Sequence, residues 1–300
     1  MRRELVAAVL LVAVATSAAQ ARPPTGPPAA AVTPVTAGSS ATLQAIARRG
    51  VLRVGMYPGL APFVAAGADA DELRRLSQAT GELRHAVDGR AVAGFDVDLA
   101  AAAARALEVR VELVLVDRFA DLLPGLAAGK YDVVMSGLTR TLARARVVAF
   151  SDPYFASGLQ VLTRPNAHLP TLASLGAAHA RVAVRAGTTA ESFARTTLAG
   201  ASVRTVATDA ALFGAVERGD ADAAVIDYIS ARDAEVRGLV RTPLTPIEER
   251  RFTVEHFAFA VRQGDPDWLN WLNLYLRQSK ASGEFHRLAA GYNAWFRSER

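Results

Sequence analysis

GKYDVVMSGLTRTLARARVVAFSDPY, residues 129–154, is the stretch on which the fold turns. Its run YDVVM, 131–135, is apolar and rich in β-branched residues, and Gly129 and Ser136-Gly137 bound it as turns bound a buried strand. That strand then delivers the chain into Ser136, Thr139 and three arginines, Arg140, Arg144 and Arg146. Polar groups belong there if the sheet is parallel, because ligands sit in the crevice outside the carboxyl ends of such strands. The segment therefore reads as half of a pocket for an anionic group.

Outward from this point, strand and helix alternate. VLRVGMY (51–57) is a strand after a short helix TLQAIARRG (42–50) that stops on Gly50. DVDLAAAAARALE (96–108) is a helix with Asp96 placed to cap it, VRVELVLV (109–116) a strand and FADLLPGLAAG (119–129) a helix. RVAVRAG, AESFARTTLAG, SVRTVA, DAALFGAVERG and ADAAVI continue the rhythm from 181 to 226. Such alternation indicates parallel-rich sheets covered by helices, an α/β fold. One segment interrupts it. In 64–93, Leu73, Leu76, Leu83 and Val87 fall near one helical face, which predicts an inserted amphipathic helix. The final stretch, 265–296, is helical, and Trp268, Trp271, Leu272, Tyr275 and Leu276 are expected to be core.

The chain's start speaks to compartment. MRRELVAAVLLVAVATSAAQA (1–21) has a basic start, a short apolar stretch and Ala19-Gln20-Ala21 as a small-x-small site, the pattern of a cleavable signal peptide. RPPTGPPAAAVTPVTAGSSA (22–41) reads as a flexible Pro/Ala-rich linker. The 300 residues contain no cysteine, which excludes disulfides, thiol chemistry and a lipidated cysteine. A soluble periplasmic protein that is not a lipoprotein is expected. A net charge of +5, dispersed and without aromatic interleaving, argues against nucleic acid as partner. His85, His168, His179, His256 and His286 lack metal-ligand spacing, and no phosphate loop or Gly-x-Ser-x-Gly elbow occurs, so neither metal nor cofactor is expected.

Six motifs in order carry a resemblance: GVLRVGMYPGLAPF, GFDVDLA, the opening stretch, RVAVRAGTTAESFA, GDADAAVIDYISA and the terminal SGEF…WF. Together they resemble the periplasmic amino-acid-binding proteins, the extracellular solute-binding proteins of family 3 that serve ABC importers. The resemblance implies the two-lobe periplasmic binding protein-like fold (type II), with a hinge of two crossing segments. Lobe 1 would combine 42–155 with 257–296, and lobe 2 would cover 158–255. An ABC permease/ATPase complex in the inner membrane is the implied partner, and a monomer the implied state.

The same resemblance assigns roles. Arg144 would grip the ligand's α-carboxylate, a task suited to a guanidinium's two parallel hydrogen bonds; the alternative is a solvated arginine beside Arg140 and Arg146. Ser136 and Thr139 would present backbone or hydroxyl groups, or else form the turn, and Gly137 would let the backbone approach closely. Thr189 would add donors to the carboxylate at a helix start, where N–H groups favour an anion. Thr188 and Glu191 fit a capping box. Asp227 would accept the α-ammonium, or else cap the following helix. At the side-chain end, Phe119 would pack on the ligand, Leu60 stands where a second ring is usual, and Tyr57 replaces an acid common in binders of basic amino acids.

A second class shares the fold. The exported cyclohexadienyl (arogenate/prephenate) dehydratases resemble this chain at MSG, at FAR after the Gly-Thr turn, and along ALFGAVERGDADAAVIDYISAR. In that reading Glu191 would be the general acid of a carbon–oxygen lyase. Thr141 and Phe119 stand where an asparagine and a tryptophan are expected, which favours the binder.

Overall fold

The computed structural model describes residues 40–77, 85–248 and 250–296. The expected signal peptide, nearly all of the linker, and Leu83 lie outside them.

Two five-stranded sheets organise the chain. The first orders its strands Arg110–Leu115, Val51–Met56, Val133–Val134, Ala260–Val261 and Ala149–Phe150. Val51–Met56 pairs in parallel with both neighbours, and the last two strands join antiparallel. Parallel central strands are apolar on both faces because helices cover both sides; five of six residues in Val51–Met56 are buried. The second sheet orders Ser202–Val206, Arg181–Arg185, Ala223–Asp227, Leu159–Thr163 and Thr245–Pro246. It carries a separate apolar cluster on each face, one around Val161, Val182 and Val225, the other around Leu212, Phe213 and Ile226. The α/β class is as read.

Two extended segments cross between the sheets, Phe155–Ser157 and Glu255–Phe257, paired antiparallel with each other. An aromatic cluster seals them: the Phe63 ring lies 5.1 Å from Phe155, 5.3 Å from Phe257 and 5.8 Å from Phe296. The C-terminal helix Pro266–Ala281 buries Trp268, Leu272, Tyr275 and Leu276, as its apolar stripe requires. Asp265, which caps it, also accepts from Ser40 Oγ and the Thr42 N–H, so the helices Ala41–Arg49 and Pro266–Ala281 share an anchor.

The segment 64–93 differs from its reading as one long helix. Its helix spans Ala68–Leu76 and buries Ala70 and Leu73, whereas Leu76 is exposed. Val87 belongs instead to the hairpin His85–Val87/Arg90–Ala93, within a four-stranded antiparallel sheet. The hairpin turns on Asp88 (φ +50°) and Gly89 (φ +74°), and positive φ at both central residues makes Asp-Gly a favoured two-residue turn. That local signal outweighed the helical spacing of Val87.

The inserted helix also reaches the second lobe. Arg237, whose side chain is only 7% exposed, donates to Asp233 at 3.3 Å and to Glu72 Oε2 at 2.8 Å, and pairs with Asp69. Asp233 in turn accepts from Trp295 Nε1 at 2.9 Å. Removing the guanidinium strands the nearly buried Asp233 without its cation. Arg237→Ala is therefore expected to lower unfolding free energy by about 3 kcal/mol. Urea melts within about 0.5 kcal/mol of the parent would remove this network from the stability account.

Candidate ligand-binding cleft

The cleft opens where the two sheets' strand ends face each other. On the first lobe, Val133–Val134 runs into Met135 and Ser136. Ser136 is fully buried and its Oγ accepts the Tyr57 N–H at 2.9 Å, which ties two neighbouring strand ends together. Ser136 thus stands behind the cleft wall. Gly137 has φ +52°, and a Cβ there would lie 2.4 Å from Leu60 Cδ2, so only glycine fits beside that wall residue.

Asp96 is not the helix cap that the sequence suggested. The helix Phe95–Ala106 starts after Gly94, and the fully buried Asp96 accepts from the Gly137 N–H at 2.7 Å and from Tyr154 Oη at 2.9 Å. Desolvation raises its carboxyl to about 7, although both hydrogen bonds oppose the shift. It pins the turn that shapes the cleft.

Arg144 sits in the one-turn helix Leu142–Ala145, which Thr141 caps by accepting the Arg144 N–H. Its guanidinium folds back: Nη1 donates to the Thr139 carbonyl at 2.7 Å, and Nη2 crosses the cleft to the Gly187 carbonyl at 3.1 Å. It lies 5.7 Å from the Phe119 ring centroid. Burial lowers its pKa to about 10, opposed by Glu255, so it stays charged at neutral pH. Among the described residues no carboxylate forms an ion pair with it. Arg140 and Arg146 are exposed.

The second lobe supplies the opposing wall. Thr188 caps the helix Thr189–Thr197, accepting the Glu191 N–H and donating to the Arg185 carbonyl at 2.7 Å. Glu191 turns away from the cavity: its carboxylate accepts the Gly187 N–H at 2.9 Å and pairs with Arg195 at 3.0 Å. This is a capping box displaced by one residue, since the bond returns to Gly187 rather than to Thr188. Asp227 ends the strand Ala223–Asp227 and caps the next helix through the Ile229 N–H at 3.1 Å. The same Oδ1 accepts from Ser157 Oγ, while Oδ2 has no hydrogen-bond donor recorded among the described residues. Desolvation raises Asp227 to about 7.

Arg144, Asp227, Thr139, Thr188, Thr189 and Phe119 line one cavity, together with Leu60 and Gly137. Tyr57 stands behind it, its ring edge-on to Phe119 at 5.9 Å and its hydroxyl bonded to the Ala207 carbonyl at 3.2 Å. Two charged lining residues escaped sequence reasoning, Arg185 and Asp209. Arg185 Nη1 donates to the Gly59 carbonyl at 3.0 Å and to both Asp209 oxygens at 3.0 and 3.1 Å. A charged residue closing the apolar run RVAV was the available signal. The cavity holds about 30 Å³, room for little more than a water molecule, so the lobes are shut upon each other.

The arrangement sets a cation without an acidic partner and a carboxyl group with a free oxygen on the wall of one cavity. Among the described residues no group of side chains could hold a metal, and no helix is long and apolar enough to cross a membrane.

Known proteins are similar to this chain. An ancestral amino acid-binding protein, described as a precursor of cyclohexadienyl dehydratase, superposes with a TM-score of 0.70 at 35% identity, covering 85% of this chain and 100% of its own. A probable histidine-binding protein of Neisseria gonorrhoeae is 32% identical over 212 residues, 68% of this chain and 75% of the relative. A cyclohexadienyl dehydratase of Pseudomonas aeruginosa is 32% identical over 142 residues, 47% of this chain and 53% of the enzyme. Residues 83–297 match the bacterial extracellular solute-binding proteins, family 3, and the chain belongs to that family.

Proposed function

We propose that the protein captures an α-amino acid between its lobes and delivers it to an ABC importer. The observation that carries this reading is that Arg144 and Asp227 face one cavity from opposite lobes. Arg144 takes the α-carboxylate in place of the Gly187 carbonyl, with Thr139 and Thr189 beside it. Asp227 accepts the α-ammonium on its free oxygen. Ligand bridges the lobes, so it shifts the population toward closure. Two charges gripped in a desolvated cleft support micromolar or tighter affinity, about −8 kcal/mol or better. The N-terminal segment serves for export to the periplasm with cleavage after Ala21, and the mature protein acts there as a soluble monomer.

The relative among the dehydratases keeps an enzymatic reading in view. Glu191 is its test, because that reading needs Glu191 as a proton donor to the substrate, whereas here the carboxylate is held by Gly187 and Arg195 off the cavity. Glu191→Gln is expected to change amino-acid affinity less than about threefold and stability by about 1 kcal/mol. A thermal-shift screen against amino acids, arogenate and prephenate separates the classes. Formation of phenylalanine or phenylpyruvate, abolished in Glu191→Gln, would replace the binder by the enzyme.

A further inference from the structure

We propose that Arg185 and Asp209 together read the ligand's side chain and select one that ends in a carboxamide. This rests on the amino-acid-binding reading above and concerns the far end of the same cavity.

Arg185 is 7% exposed and lines the cavity beside Asp209. Its guanidinium lies 5.6 Å from the Tyr57 ring centroid and 5.4 Å from that of Phe119, which fixes its position. Only Nη1 is committed, to Gly59 and Asp209. Nε is buried with no acceptor, and none is recorded for Nη2 among the described residues. Nε and Nη2 form one edge of the guanidinium, the fork that takes a planar oxygen acceptor. A nearly buried cation with that edge unpaired is costly, and a ligand oxygen relieves the penalty.

Phe119 joins this end to the other. Its ring also carries Arg144 at 5.7 Å, so both guanidinium groups lie against one ring and, once the lobes part, a single ligand can meet both. The pair then discriminates by charge. A cationic side chain meets the Arg185 guanidinium, and Arg185 already neutralises the charge of Asp209 beside it. An acidic side chain suits the fork but lies against Asp209 in a desolvated pocket. An apolar side chain leaves the fork unpaired. A carboxamide adds no charge, offers its oxygen to Nε and Nη2, and offers its N–H groups to Asp209.

Calorimetry at pH 8 with glutamine, asparagine, glutamate, methionine, histidine, lysine and arginine tests this. Glutamine or asparagine is expected to bind at least about tenfold tighter than every other ligand in the set. In Arg185→Met the margin of glutamine over the near-isosteric methionine is expected to vanish. Arg185→Lys keeps the charge beside Asp209 but lacks the fork, so it is expected to lose the margin too, which keeps the test open if the methionine variant misfolds. Tightest binding of a cationic amino acid, still dependent on Arg144, would overturn the carboxamide assignment and leave the amino-acid reading standing. A full margin in Arg185→Lys would overturn the role of the fork. Failure of every amino acid to bind would remove the amino-acid reading and this inference with it.

Discussion

Arg144→Ala is expected to weaken amino-acid binding by about 30- to 5,000-fold, the 2–5 kcal/mol typical of truncating one partner of a buried charge pair. The loss should be uniform across amino acids, because the carboxylate it grips is common to all. Stability should change little: among the described residues the guanidinium bonds two carbonyls, and its one-turn helix has no buried residue. Calorimetry beside a thermal melt distinguishes the two effects. An unchanged affinity would mean that the ligand's anion binds elsewhere, and the zwitterion receptor would be lost with it.

Asp227→Asn is expected to cost about 100-fold in affinity and, more tellingly, to remove the pH dependence of binding. An ammonium ligand needs the Asp227 carboxylate, yet in the empty fold its pKa is raised to about 7. Binding must therefore expel a proton below neutrality. Parent affinity should fall up to about tenfold per pH unit as pH drops below 7. The variant should be flat, since asparagine keeps the cap to Ile229 and the bond from Ser157 but cannot titrate.

Stability of the empty protein should move the other way. Asp96 and Asp227, raised to about 7, and Asp233, raised to about 6, hold protons more tightly folded than unfolded. The stability they contribute is fully present below their unfolded values near 4 and is lost as pH rises through 6 and 7. Asp121, Asp222 and Asp265 have lowered pKa values, so their contribution is lost only below about 4, outside this window, while His85, lowered by burial, opposes the trend inside it as one group against three. A melt should thus sit higher at pH 5.5 than at pH 8, while ligand binds more weakly at 5.5. Parallel pH trends for stability and affinity would refute the assignment of Asp227.

The lattice of elements was legible because it is written in local terms. Apolar runs of five or six residues, glycines after helices and capping hydroxyls mark many of the boundaries, and the structure places Ser40, Thr171, Thr188 and Thr208 as caps. The segment 64–93 was misread because two local signals competed there, and the Asp88-Gly89 turn prevailed over helical spacing. Asp96 was misread for a different reason. A carboxylate at a helix start looks like a cap in any sequence, and only Gly137 and Tyr154, far along the chain, reveal its task.

Arg144, Thr189 and Asp227 were named through the family resemblance of the motifs around them, and all three line one cavity. The sequence alone thus determined the α/β class and the alternation of strand and helix outside 64–93. Tertiary structure decided the rest: that Ser136 and Glu191 face away from the cavity, that Arg185 and Asp209 join it, and that Arg237 ties the insertion to the second lobe. The reason is physical. Helix and strand follow from neighbours a few residues apart, whereas the direction of a buried charge depends on which distant partners replace its water.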